Sequence, residues 1–144
     1  PGDISWAKDM PGAKYDFLFL DGLPGRKVVG KGNHDFWWNS LKKLNEAFSD
    51  WGITTVTILH NNSCEANEYV LCGTRGWKHP DSPDATGQDK KIYERELNRL
   101  RLSLESAKPK NKPKKISCRI LPSASDLMGL AGMISSSIGQ NFIF

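Results

Sequence analysis

Three stretches of the chain are predicted to form helices, two of them from apolar side chains at helical spacing. The clearest lies within residues 89–107, where four apolar side chains step by four, three and four positions along one face: Tyr93, Leu97, Leu100 and Leu104. A second helix is predicted between Ser40, a residue type that caps helix N-termini, and Gly52. A third, short helix is predicted over residues 13–22, because the Leu-Pro-Gly turn that follows forbids its continuation.

Short runs of β-branched and apolar residues predict strands between these helices. They occupy residues 27–30, 54–59, 69–72 and 116–121. Residues 61–63 are predicted to form a turn, and residues 73–88 hold Gly, Pro and Asp in proportions typical of a long surface loop. Helical and strand patterns follow one another along the chain, so we predict an α/β fold.

Composition narrows the class of protein. Of 144 residues, 38% are hydrophobic and 10% aromatic, which predicts a folded globular protein. No apolar run approaches the roughly 18 residues that a membrane span needs, and no signal peptide is visible, so we expect a cytoplasmic protein without a membrane partner. The three cysteines have no CxxC spacing and are expected to be reduced.

The net charge of +4 has a local origin. Without one lysine-rich stretch, 15 of the 20 basic residues remain against 16 acidic ones. The stretch consists of Lys108, Lys110, Lys112, Lys114 and Lys115. A charge confined to one linker, with no aromatic residues interleaved, does not favour a nucleic-acid partner.

Two short motifs opened by glycine carry candidate chemistry. They are Gly2-Asp3 and the string GNHD at residues 32–35. Glycine lets the backbone come close to a ligand, Asn33 offers a carbonyl oxygen, His34 offers a ligand nitrogen or a proton, and Asp35 could fix the imidazole tautomer. From these residues alone, Gly-Asp fits a helix cap at Asp3 better than a site, while a polar turn at the more specific GNHD string stays an open interpretation.

A set of motifs in a fixed order resembles the calcineurin-like metallophosphoesterases, in particular their bacterial predicted-phosphohydrolase branch. The matching strings are PGDISWA at 1–7, LPGRK at 23–27, KGNHDFWW at 31–38, NNS at 61–63, CGTRGW at 72–77 and YERELNRLRLSLESAK at 93–108. The resemblance covers about residues 1–116. It implies part of a four-layer α/β/β/α sandwich that hydrolyses a phosphoester with a metal-bound hydroxide on two divalent ions, manganese, iron or zinc. Neither the substrate nor the oligomeric state follows from it.

The resemblance also implies roles for individual residues. Asp3 matches the carboxylate that bridges the two metals, and Asn33 matches an amide ligand of the second metal. His34 matches the residue that contacts the phosphate and protonates the leaving alkoxide, with Asp35 orienting it. Arg75 is predicted to contact a phosphate, although a simple surface arginine fits the sequence equally well. The tryptophans beside the motifs either line a pocket or pack the core.

The chain also departs from the family pattern. It has neither the Asp-x-His pair expected before Gly-Asp nor the later Gly-His-x-His motif, so the ligand set is incomplete, and we expect the first strand and the C-terminal half of the sandwich to be lacking. The predicted organisation is a partial metallophosphoesterase domain at residues 1–116 and a divergent tail at 117–144, for which a frameshift and a genuine tail both stay open. Two functions follow as alternatives: a metal-dependent phosphoric ester hydrolase, or an inactive fragment that binds metal weakly or not at all.

Overall fold

The computed structural model describes residues 2–67, 69–107, 115–120 and 142–143. The described part of the chain is mixed α/β, with three helices and two small sheets. In chain order the elements are α1 (Met10–Gly22), β1 (Lys27–Gly30), α2 (Leu41–Asp50), β2 (Val56–Leu59), β3 (Ser63–Ala66), β4 (Tyr69–Thr74), α3 (Gly87–Ser106), β5 (Lys115–Ile120) and β6 (Phe142–Ile143). The chain divides between His60 and Asn61 into two compact units. The predicted α/β class is confirmed.

The first unit contains α1, β1, α2 and β2. The two strands are parallel neighbours, with Val29 opposite Ile58. The apolar faces of both helices contribute to one buried core, whose members are Ala13, Phe17, Val29, Trp37, Leu44, Phe48, Ile53 and Ile58. Phe48 of α2 packs against Phe17 of α1 with 4.8 Å between ring centroids. In α2, the helical spacing of Leu44 and Phe48 therefore marks residues that this core buries.

Side-chain caps fix where the two helices of the first unit begin. The carboxylate of Asp9 accepts the N–H of Gly12 at 2.9 Å, so α1 begins three residues before the predicted position. The hydroxyl of Ser40 accepts the N–H of Lys43 at 3.4 Å and begins α2, as predicted.

The second unit contains a sheet of order β3-β4-β5-β6 and the helix α3. β3 and β4 are antiparallel, whereas β4 pairs with β5, and β5 with β6, in parallel. Among the described residues of this unit, the buried apolar ones are Val70, Cys72, Leu100, Leu104 and Ala107, with Tyr93 and Leu97 packed against them. α3 thus uses the face that its four-three-four spacing indicates.

Two of the described strands, β3 and β6, were not predicted. β3 has the sequence Ser-Cys-Glu-Ala, which lacks the β-branched residues typical of strands, and the sequence instead predicts a turn that ends at Ser63. The strand forms because its backbone pairs with β4, with Cys64 opposite Leu71.

The predicted domain boundary after Ile116 falls within β5. Of the predicted tail, residues 117–120 lie in β5 and residues 142–143 form β6, while residues 121–141 and 144 lie outside the described residues. The division into 1–116 and 117–144 therefore stays a prediction. No helix in the described ranges has both the length and the apolar character that crossing a membrane requires.

Candidate functional site

The two glycine-led motifs of the sequence lie against each other in the first unit. A methyl group placed on Gly2 would lie 2.2 Å from the backbone nitrogen of Gly32, and one placed on Gly32 would lie 2.0 Å from the carboxylate oxygen of Asp3. Both distances are far below van der Waals contact. The two backbones can therefore meet only because neither residue has a side chain.

A buried carboxylate holds the two motifs together. Asp35 is 1% exposed. Its Oδ2 accepts the N–H groups of Asp3 at 2.8 Å and Gly32 at 2.7 Å, while its Oδ1 accepts the N–H of Ile4 at 3.0 Å and the indole N–H of Trp37 at 3.1 Å. Hydrogen bonds to an ionised acceptor are roughly twice as strong as neutral ones, so this carboxylate fixes the geometry of both loops.

Asp3 and His34 form the side-chain contact at the centre of the site. The Oδ1 atom of Asp3 accepts the backbone N–H of His34 at 2.8 Å, and its Oδ2 lies 3.2 Å from the imidazole Nδ1. The other ring nitrogen, Nε2, lies 3.3 Å from the amide nitrogen of Asn33. An amide nitrogen can only donate, so this network assigns the neutral ring a proton on Nδ1 that is donated to Asp3.

Asp3 has an unusual backbone conformation, and its surroundings favour the charged form of its carboxyl. Its φ is 56°, in the left-handed region that Asp and Asn tolerate better than most residues. Burial raises the pKa of its carboxyl, but the backbone N–H and ring of His34 favour the charged form, and the pKa lies below its ordinary value of 3.8. Asp3 is thus held as an anion beside a half-exposed imidazole.

Two exposed aromatic rings flank His34. The indole of Trp6, which is 82% exposed, stacks on the imidazole with 5.5 Å between centroids and 16° between planes. Phe36, which is 70% exposed, lies edge-on to the imidazole with 6.3 Å between ring centroids. Trp37 instead lies in the core, edge-on to Phe17 at 4.9 Å. Of the two interpretations left open for the tryptophans, core packing applies to Trp37, and Trp6 lies at the rim of the site.

The oxygen ligands brought together here are one carboxylate, from Asp3, and the amide of the neighbouring Asn33. Both carboxylate oxygens of Asp3 already contact His34. Across the described residues, no group of three or more His, Cys, Asp and Glu side chains is arranged to hold a metal ion. A pair of divalent ions needs more ligands than these, so the residues present do not by themselves fit the two-metal centre that the resemblance implies.

The structure gives Asp35 different contacts from those the resemblance implies. None of the four hydrogen bonds described for its carboxylate involves the ring of His34, which contacts Asp3 instead. Arg75, the predicted phosphate contact, lies in the second unit beside Glu96 and Trp77.

Two features of these sites went unrecognised in the sequence. Contacts to Asp35 from residues more than 30 positions away leave no local sequence signal. The burial of Glu96 does have a sequence signal, because Glu96 lies three residues after Tyr93 and four before Leu100, on the helical face that is buried.

Comparison with family models, with curated proteins and with solved structures finds no match to this chain. The family resemblance therefore rests on the quoted motifs.

Proposed function

We propose that this chain carries part of the active site of a metal-dependent phosphoric ester hydrolase, on part of a four-layer α/β/β/α sandwich. The observation that supports the proposal best is the contact of Asp3 with His34 across 31 positions of sequence. Asp3 belongs to the Gly-Asp motif and His34 to the GNHD motif. The convergence of the two motifs on one pair of acid and base side chains favours a site over two unrelated turns.

In this proposal His34 acts with both ring nitrogens protonated and is the proton donor to the leaving alkoxide. Asp3 orients the ring through Nδ1, which leaves Nε2 as the nitrogen directed at the substrate, beside the amide of Asn33. Asp35 acts through the backbone, because it holds the loops of Asp3 and Gly32 at a fixed separation. We place the activity in the cytoplasm, where the thiols of Cys64 and Cys72 would stay reduced.

The alternative proposal is an incomplete chain that binds metal weakly or not at all and does not hydrolyse phosphoesters by itself. The incomplete ligand set among the described residues favours it for this chain alone. We therefore expect turnover of an aryl phosphate close to the uncatalysed rate, even with added manganese. The acid–base pair and the loops would nevertheless retain a weak preference for a divalent cation.

Paramagnetic broadening tests the site without requiring turnover. Manganese(II) is added to the ¹⁵N-labelled chain, and backbone amide signals are followed by NMR. We expect selective broadening at residues 2–4 and 32–35, and its loss in Asp3→Asn. This variant suits the test because asparagine accepts positive φ and keeps an acceptor oxygen, so it removes the charge and preserves the backbone.

Asp50→Asn is the matched control, because Asp50 is exposed at the end of α2. It should leave the broadening unchanged. Broadening spread over exposed carboxylates, or retained in Asp3→Asn, would contradict the site assignment. Rapid Asp3-dependent hydrolysis of the aryl phosphate by the chain alone would instead reject the inactive alternative.

A further inference from the structure

The second unit contains a buried carboxylate surrounded by arginines. Glu96 lies in the middle of α3 and is 2% exposed. Its Oε2 accepts the hydroxyl of Thr74 at the end of β4, and its Oε1 accepts a guanidinium N–H of Arg99 one helical turn away. Both carboxylate oxygens therefore accept a hydrogen bond from a residue other than Arg75.

Arg75 faces this carboxylate but is not hydrogen-bonded to it. Its Nε is buried and lies 3.6 Å from Glu96 Oε1, too far for a hydrogen bond. The guanidinium lies 4.5 Å from the ring centroid of Trp77. The indole N–H of Trp77 donates to Asp89 at 2.8 Å, which holds the ring in place at the start of α3.

The Nη groups are the part of Arg75 that can donate to a ligand. Among the described residues none accepts a hydrogen bond from Arg75, and Nε is the only one of its nitrogens that is both fully buried and without a partner. The side chain as a whole is 17% exposed. A guanidinium this restricted presents a fixed fork of donors, because the Trp77 ring limits its rotation.

The local charge is positive. Arg75 and Arg99 both lie against Glu96, and the positive charge of Arg95 also acts on Arg75. With Asp89 bonded to the Trp77 indole, these groups carry three positive and two negative charges. Burial lowers the pKa of Arg75, the positive charges of Arg99 and Arg95 lower it further, and Glu96 opposes both. An anion at the Nη edge of Arg75 would reduce this repulsion.

We infer that Arg75 and Arg99 form a binding site for a phosphate group at the end of β4, with Trp77 and Glu96 holding Arg75 in place. The excess of positive charge favours an anion such as a phosphate group. Its tetrahedral oxygens can also accept from two guanidinium groups at once. The inference is independent of the proposed hydrolase, because every residue it uses lies in the second unit.

The test is a titration of the ¹⁵N-labelled chain with inorganic phosphate at constant ionic strength, with chloride as the reference anion. A parallel titration with glycerol 2-phosphate distinguishes free phosphate from a phosphomonoester. The signals followed are the Arg75 Nε–H and the Trp77 indole N–H. We expect saturable shifts of both with phosphate or the ester and none with chloride, and signals of residues 32–35 report separately on the first unit.

Arg75→Gln should weaken binding at least tenfold, and Arg75→Lys, which keeps the charge but not the fork, should weaken it by a smaller factor. Arg101→Gln removes an exposed arginine of the same helix and should leave the affinity unchanged. The Lys variant keeps the test valid if Arg75→Gln fails to fold. Absence of saturable shifts in the unmodified chain, or equal affinities of the Arg75→Lys and unmodified chains, would overturn the inference and leave Arg75 as part of a structural ion pair.

Discussion

Replacing Asp35 by asparagine tests whether one carboxylate joins the two loops of the candidate site. The four hydrogen bonds are divided equally between its oxygens: Oδ2 accepts from Asp3 and Gly32, and Oδ1 from Ile4 and Trp37. Asparagine keeps only one oxygen. Whichever way its side chain is turned, two N–H donors face an NH₂ group that cannot accept.

The expected cost follows from these contacts. A hydrogen bond to a charged group contributes about 1.5–3 kcal/mol, so losing two in a site that is 1% exposed costs about 3–6 kcal/mol. The whole unfolding free energy of a small domain is about 5–15 kcal/mol. We therefore expect Asp35→Asn to leave the first unit barely stable, with the loops of Gly2 and Gly32 separated so that water can reach the orphaned N–H groups.

Urea unfolding followed by tryptophan fluorescence measures this loss. Four of the five tryptophans precede residue 61, so the signal reports mainly on the first unit. Asp50→Asn should change the unfolding free energy by less than about 0.5 kcal/mol, as expected for an exposed site. A loss below about 1 kcal/mol in Asp35→Asn would refute the argument, because it would mean that the four donors find other acceptors.

Two further predictions concern the second unit. Burial raises the pKa of Cys72 to about 11. Iodoacetamide at pH 8 should therefore alkylate Cys72 at least tenfold more slowly than the half-buried Cys64, as measured by mass spectrometry of the separated peptides. Equal rates would contradict the burial of β4. The Asp89 pKa is lowered to about 2 by the side chain and backbone of Thr86 and by the indole of Trp77, so its stabilising effect is complete above about pH 3.8 and lost as the pH falls towards 2. Trp77→Phe removes the indole donor and should move the Asp89 carboxyl midpoint upward in a ¹³C NMR titration, whereas an unchanged midpoint would show that the indole bond is not formed.

The helices were predictable from the sequence because caps and apolar spacing act between residues that are close in the chain. The ends of α2 follow from Ser40 and Gly52, and the buried face of α3 follows from apolar side chains at helical spacing. β1 has the predicted bounds because its four residues lie between a glycine turn and a glycine-rich loop. Each of these features depends on residues within about one turn of each other, which is the range over which propensity and capping act.

Features that depend on distant partners were not predictable in the same way. β3 exists through pairing with β4, and nothing in its own sequence favours a strand. The convergence of Asp3 and Asn33 was expected, but only from the family resemblance. The hydrogen bonds of Asp35 to the loop of Asp3 cross more than 30 positions, and a single sequence contains no record of such pairings.

The two aspartates of the candidate site have different roles: Asp35 holds the loops, and Asp3 orients the imidazole of His34. A carboxylate that accepts four N–H groups in a buried position has no oxygen to spare for an imidazole, so the orientation of His34 falls to the more exposed Asp3. This division predicts separable effects. Asp3→Asn should leave the unfolding free energy within about 1 kcal/mol of the unmodified chain, because the charge it removes is over a third exposed, while it alters the tautomer balance of His34 seen in ¹⁵N NMR. Asp35→Asn should lower stability first and affect His34 only as the loops separate. If both variants change stability and the imidazole equally, one carboxylate network does both tasks and the assignment of Asp3 as the orienting residue is wrong.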